Sequence, residues 1–145
     1  MATPVSAVSS RQGWDDIGKL ILRLTVACLL VLHGIAKMKG GIGWMAGMLA
    51  SYHIPAFIGY GVYVAEIVAP ILLILGLFTR LAALVVAFDL FMAIVLVIHG
   101  KTFTPNPQGG GLGGEIELFF LLASLAIFFL GAGKLSVRKG LGRWD

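Results

Sequence analysis

Seven ionisable side chains lie inside or at the edges of otherwise apolar stretches: Arg23, His33, Glu66, Asp89, His99, Glu115 and Glu117. Lys37 closes the first of these stretches. A full charge at the centre of a membrane helix costs roughly 2.5–3.5 kcal/mol on insertion scales, so each such group should face a partner. Helical spacing sorts them. At about 100° per residue, Arg23 and Lys37 are only about 40° out of register, and His33 precedes Lys37 by one turn. Arg23, His33 and Lys37 would then form a single polar seam. Glu66 is expected to meet Arg23 or Lys37 across a helix–helix contact, with Asp89 as a competing acid. Glu115 and Glu117, about 200° apart around a helix, cannot both face one site.

Two kinds of chemistry suit this set. A buried ion pair drawing on Arg23, Glu66 and Arg80 would fix which helix lies beside which. Alternatively, Arg23, His33, Lys37, Glu66, Asp89 and Glu115 would line a pocket that binds a small ligand or relays protons. His33 and His99 sit at similar depth on different helices, which raises haem or a metal. Neither has a HxxxH or ExxH companion, so no metal site is assigned and haem is disfavoured. No Ser-His-Asp set or paired-carboxylate hydrolase signal stands out, and no catalytic residue is assigned. The single cysteine, Cys28, precludes an intrachain disulfide and reads as a small buried hydrophobe.

The elements that must position these residues follow from composition. Of 145 residues, 59% are hydrophobic and 12% charged, with a mean hydropathy of +0.97. Soluble domains run near 45–50% apolar and about 25% charged, so a single membrane domain is indicated. Four apolar windows cover about 17–38, 56–78, 81–99 and 115–133. About 20 residues cross a ~30 Å hydrocarbon layer, and backbone groups in lipid must bond internally, so the windows should be helices. The expected fold is an all-α integral membrane protein, an antiparallel four-transmembrane-helix bundle joined by tight turns such as "FTRLA". In "KGGIGWMAGMLASYHIP", Trp44, Met45, Met48, Leu49 and Tyr52 fall near one face, predicting a short interfacial helix in the first outer loop. The second outer loop, "KTFTPNPQGGGLGG", reads as mobile, and its glycines lack the GK[ST] of a phosphate cradle.

Residues 1–16 read as a polar N-terminal tail with no cleavable leader, and 134–145 as a basic C-terminal tail. Four of the eleven basic residues lie in the last twelve positions. That clustering suits an anionic membrane surface better than nucleic acid, which is not expected as a partner. With four spans both termini share a side. Arg11, Lys19, Arg80, Lys134, Arg138, Lys139 and Arg143 lie there, against Lys37, Lys39 and Lys101 opposite. The excess predicts both termini in the cytoplasm.

These residues in this order resemble the DoxX family of small bacterial membrane proteins. The resemblance rests on "LRL…HGIAK" (22–37), Glu66 with "GLFTR" (76–80), "GGE" (113–115) and "GAGKLSV" (131–137). It covers about 20–137 and implies a four-helix protein of the bacterial inner membrane. Relatives include a subunit of thiosulfate:quinone oxidoreductase, so the resemblance implies an oxidoreductase subunit that needs a protein partner. It implies no covalently bound cofactor, quinone as the candidate diffusing one, and Arg23, Lys37, Glu66, Arg80 and Glu115 as the family's charged positions. The family ending G-x-G-x-x-S-x-D meets Arg138 where its aspartate would stand. Three functions are compatible: a quinone- or proton-handling subunit, a non-catalytic anchor or assembly subunit, and a proton-coupled carrier. Self-association is compatible with each.

Overall fold

The structure, a computed structural model, describes residues 5–106, 109–142 and 144–145, with side chains from residue 13 on. Its long elements are helices: α1 (Val5–Gly40), α2 (Gly43–Ser51), α3 (Ala56–Leu75), α4 (Thr79–Ile98) and α5 (Glu115–Leu130). Gly13–Gly40 of α1, α3 and α4 are each long and apolar enough to cross a bilayer. This is an all-α membrane protein. α5 has 16 residues, about 24 Å of helix against a ~30 Å hydrocarbon layer.

Helix ends differ from the expected windows for local reasons. α3 stops at Leu75 because Gly76 (φ 69°) and Phe78 (φ 47°) turn left-handed, so 76–78 form the whole connection to α4. α5 stops at Leu130, short of 133, where Gly131 takes φ 74°. α1 begins at Val5, so most of the segment read as a polar tail is helical.

α1, α3, α4 and α5 pack around a common core, with α4 against α5 the most extensive contact. Small residues dominate where the helices meet: Ala27, Ala69, Ala82, Ala83 and Ala123 are buried together with Val26, Leu30, Leu73, Val86 and Ile127. Lipid offers helices little hydrophobic reason to associate, so close van der Waals contact between small side chains must supply the attraction. The opposite faces are apolar as well, with Phe88 65% and Phe119 63% exposed. Such surfaces are stable against acyl chains and costly in water. Cys28 is exposed on the α1 surface, not buried as its apolar run suggested.

Residues 131–142 and 144–145 fold back across one end of the bundle. The Arg23 guanidinium donates to Ala132 O (2.6 Å) and Leu135 O (2.7 Å), and Lys134 N donates to Asp16 Oδ1 (3.0 Å). Val137 N donates to Leu75 O at 3.1 Å. The first N–H groups of α4 need acceptors. Phe78 N finds Asp145 Oδ1 at 3.1 Å, and Arg80 N finds Trp144 O at 2.9 Å. The residues read as a basic tail are thus a lid, with Lys134, Arg138 and Lys139 exposed on it. Arg11 and Arg143, counted among the basic residues, fall outside the described side chains.

Candidate functional site

Glu66 sits in a widened turn. Val64–Val68 is π-helical, with Ala69 N–H donating to Val64 O. The cause lies four residues beyond Glu66, at buried Pro70. Proline has no N–H for the carbonyl of residue i−4, and its ring collides with that carbonyl in a regular helix. Widening the turn relieves the collision. α1 packs directly beneath the freed carbonyl: a Cβ at Gly34 would lie 2.7 Å from Glu66 O and 2.6 Å from Ile67 Cγ1. Gly34→Ala should therefore push α1 from α3 and lower stability by about 1–3 kcal/mol. Thermal unfolding in detergent measures this, and an unchanged midpoint would mean that the contact is not needed.

That close approach brings Lys37 to Glu66. Lys37 Nζ is paired with Glu66 Oε1, with side-chain exposures of 30% for the lysine and 7% for the glutamate. Tyr63 Oη donates a long hydrogen bond to Lys37 O (3.5 Å). Asp89, on α4, lies within Coulomb reach of both Glu66 and Lys37. Glu66 Oε2 is buried and has no hydrogen-bond partner among the described residues. Lys37 is thus paired with one acid while a second lies near, and a Glu66 carboxylate oxygen lacks a partner among the described residues where water is scarce. Such an oxygen is costly unless it accepts a hydrogen bond or binds a proton.

The same residues carry the comparison with known proteins. The DoxX family profile matches residues 18–100, which span α1 through α4 and include Lys37, Glu66 and Asp89. The chain belongs to the DoxX family. An uncharacterized protein of Haemophilus influenzae is 39% identical over 115 residues, 77% of this chain and 81% of that one. A Bacillus subtilis protein named "Putative oxidoreductase CatD" is 27% identical over 122 residues, 84% of this chain and 85% of that one. No solved structure matches.

In this DoxX protein the polar seam expected along α1 is divided. Arg23 is 1% exposed and occupied by the lid carbonyls, so the ion pair expected between Arg23 and Glu66 gives way to Lys37–Glu66. Arg80 does not join it either, because its Nε donates to Asp145 O at 3.1 Å. Arg23 lies where α3 and α5 end, near Gly76 and Ala132. Helix C-termini carry partial negative charge and free carbonyls, which hold a cation well. His33 is exposed, its ring edge-on to Phe120 at 6.2 Å between centroids.

Glu115 also stands apart from the cluster. Its Oε2 accepts Leu112 N (3.0 Å), closing the turn that starts α5. His99 is exposed and stacked on Tyr52, whose hydroxyl lies 2.8 Å from His99 Nδ1. The two histidines therefore have separate partners, and among the described residues no three His, Cys, Asp or Glu side chains could hold a metal. An open concavity of about 300 Å³ is lined by His99, Lys101, Thr104 and Asn106, and an apolar groove of about 460 Å³ by Leu29, Glu115, Ile116 and Phe119. Neither reaches Glu66. Sequence reasoning overlooked Gly34, Pro70, Asp16 and Asp145. Pro70 was discoverable, since a proline four residues after a buried acid frees that acid's own carbonyl.

Proposed function

We propose that this protein is a four-span subunit of the bacterial cytoplasmic membrane that serves a quinone-linked oxidoreductase or respiratory-type complex. In this reading the Lys37–Glu66–Asp89 cluster takes up and releases protons or holds a quinone headgroup. The observation that carries it is the buried Glu66 Oε2, without a partner among the described residues, near a lysine and a second carboxylate. Such an oxygen accepts an O–H or a proton, and the half-exposed Lys37 ammonium can donate to a headgroup carbonyl. The name of the Bacillus subtilis relative points to the same broad class.

α5 serves as the fourth span, its shortness met by local thinning of the bilayer. α2, with Trp44 exposed on it and Tyr52 exposed just past its end, lies in the interface at the Lys37 end. The lid end holds Lys19, Arg80, Lys134, Arg138 and Lys139 and faces the cytoplasm. A second reading, a non-catalytic anchor, draws on the Lys37–Glu66 pair itself, which by joining α1 to α3 could serve assembly alone.

Glu66→Gln separates the two, because the amide preserves shape and removes the titratable oxygen. The assay is thiosulfate-driven reduction of decylubiquinone by the complex recovered in mild detergent, normalised to assembled protein. Turnover is expected to fall by about a hundredfold or more, the lower end of the range attributed to a lost proton-transfer group. Unchanged turnover with normal assembly would leave the anchor.

A further inference from the structure

The proposed proton-handling role leaves open whether protons cross the bundle or return to the face they came from. Two polar layers exist, and they do not touch. Gly34 is level with Glu66, and Arg23 is eleven residues earlier on α1, about 16 Å along the axis. Between them the core is apolar and closed: Ala27, Leu30, Ala69, Leu73 and Val86 are each at most 3% exposed. On α5 Ser124 is a buried polar side chain, and its hydroxyl has no partner among the described residues.

A proton moves along hydrogen bonds with donors and acceptors about 2.5–3.0 Å apart. One isolated hydroxyl cannot bridge such a gap, and a space lined by alkyl groups stays dry. Beyond it stands the buried Arg23 guanidinium, held by Ala132 O and Leu135 O. A fixed cation in a narrow passage opposes the entry of another positive charge. Toward the other end Lys37 stands three residues before the end of α1 at Gly40, and its side chain is 30% exposed while Glu66 is 7% exposed.

We infer that the Lys37–Glu66–Asp89 cluster exchanges protons with one face of the membrane only, the face that carries α2. The inference rests on the proton-handling reading above. It makes the site a one-sided proton store beside a partner's chemistry, not a conduit, and it removes the carrier function.

Two measurements on the full-length protein test it. In liposomes enclosing a pH-sensitive dye, with a potassium diffusion potential set by valinomycin, acidification is expected to match protein-free vesicles until a protonophore is added. Flux above that level overturns the inference. In oriented membrane vesicles, dicyclohexylcarbodiimide is expected to modify Glu66 or Asp89, since it reacts with carboxyl groups that hold a proton. Adduct yield, read by mass spectrometry, should change severalfold with the pH of the compartment facing α2 and be indifferent to the other. Yield that follows the opposite compartment, or no adduct at either pH, overturns the inference. The two proposals fail separately. Flux abolished by Glu66→Gln would keep a proton role and refute one-sidedness, whereas a fully active Glu66→Gln complex would refute the functional reading alone.

Discussion

Lys37→Met should destabilise the protein by about 3 kcal/mol, the lower end of the range for removing one partner of a buried ion pair. The lower end applies because Lys37 is 30% exposed, so some of its charge is already solvated. The cost arises at Glu66. Its Oε2 already lacks a partner among the described residues, and removing Lys37 would strand Oε1 as well, beside Asp89. Glu66→Gln should cost less, since Lys37 can still donate to an amide oxygen. Replacing both, with Met at 37 and Leu at 66, should recover most of the loss, because no unpaired charge remains. Unfolding of the three variants in one detergent gives the comparison. A double variant as unstable as Lys37→Met alone would show that the pair is not what holds α1 to α3.

Arg23→Lys is expected to release the lid while leaving the Glu66 cluster in place. The guanidinium reaches two carbonyls three residues apart, Ala132 O and Leu135 O, with separate nitrogens. A lysine ammonium is a point donor on a flexible stem and does not reproduce that fork. Hydrogen bonds to charged groups contribute about 1.5–3 kcal/mol each, so losing one of the two should cost at least about 1.5 kcal/mol locally. Lys134, Arg138 and Lys139 are exposed on the lid and report its opening to trypsin. If cleavage follows the equilibrium population of the open form, that loss raises the rate about tenfold. Arg23→Leu should do so more strongly, since both carbonyls, one of them on buried Ala132, lose their donor. Cleavage equal to wild type in both variants would show that Asp16, Arg80 and Asp145 suffice to hold the lid.

Glu66→Gln and Arg23→Lys also test the separation of the polar layers. Glu66→Gln should leave tryptic cleavage of the lid unchanged, and Arg23→Lys should leave carbodiimide labelling of Glu66 or Asp89 unchanged. Distant sites without shared partners usually behave additively.

Much of this protein was legible before any coordinates. A 59% apolar chain with four long windows can only bury its backbone polar groups as helices in lipid. The motifs around Lys37, Glu66 and Gly76 named the family that the profile then matched. Helical spacing also offered Lys37 as one of two cations for Glu66, because periodicity along one helix is a local property. What it could not decide was which cation. Arg23 and Lys37 lie within about 40° on α1, and the choice depends on which turn of α3 stands opposite. Gly34 beneath the Glu66 carbonyl sets that register, and 131–145 claims Arg23 for itself. Such contacts join residues more than 100 positions apart, as in Arg23 with Ala132 and Asp16 with Lys134. A sequence constrains where a side chain points around its own helix axis. Only packing fixes the depth at which another helix meets it, and for charges in a medium of low dielectric a few ångströms of depth decide the partner.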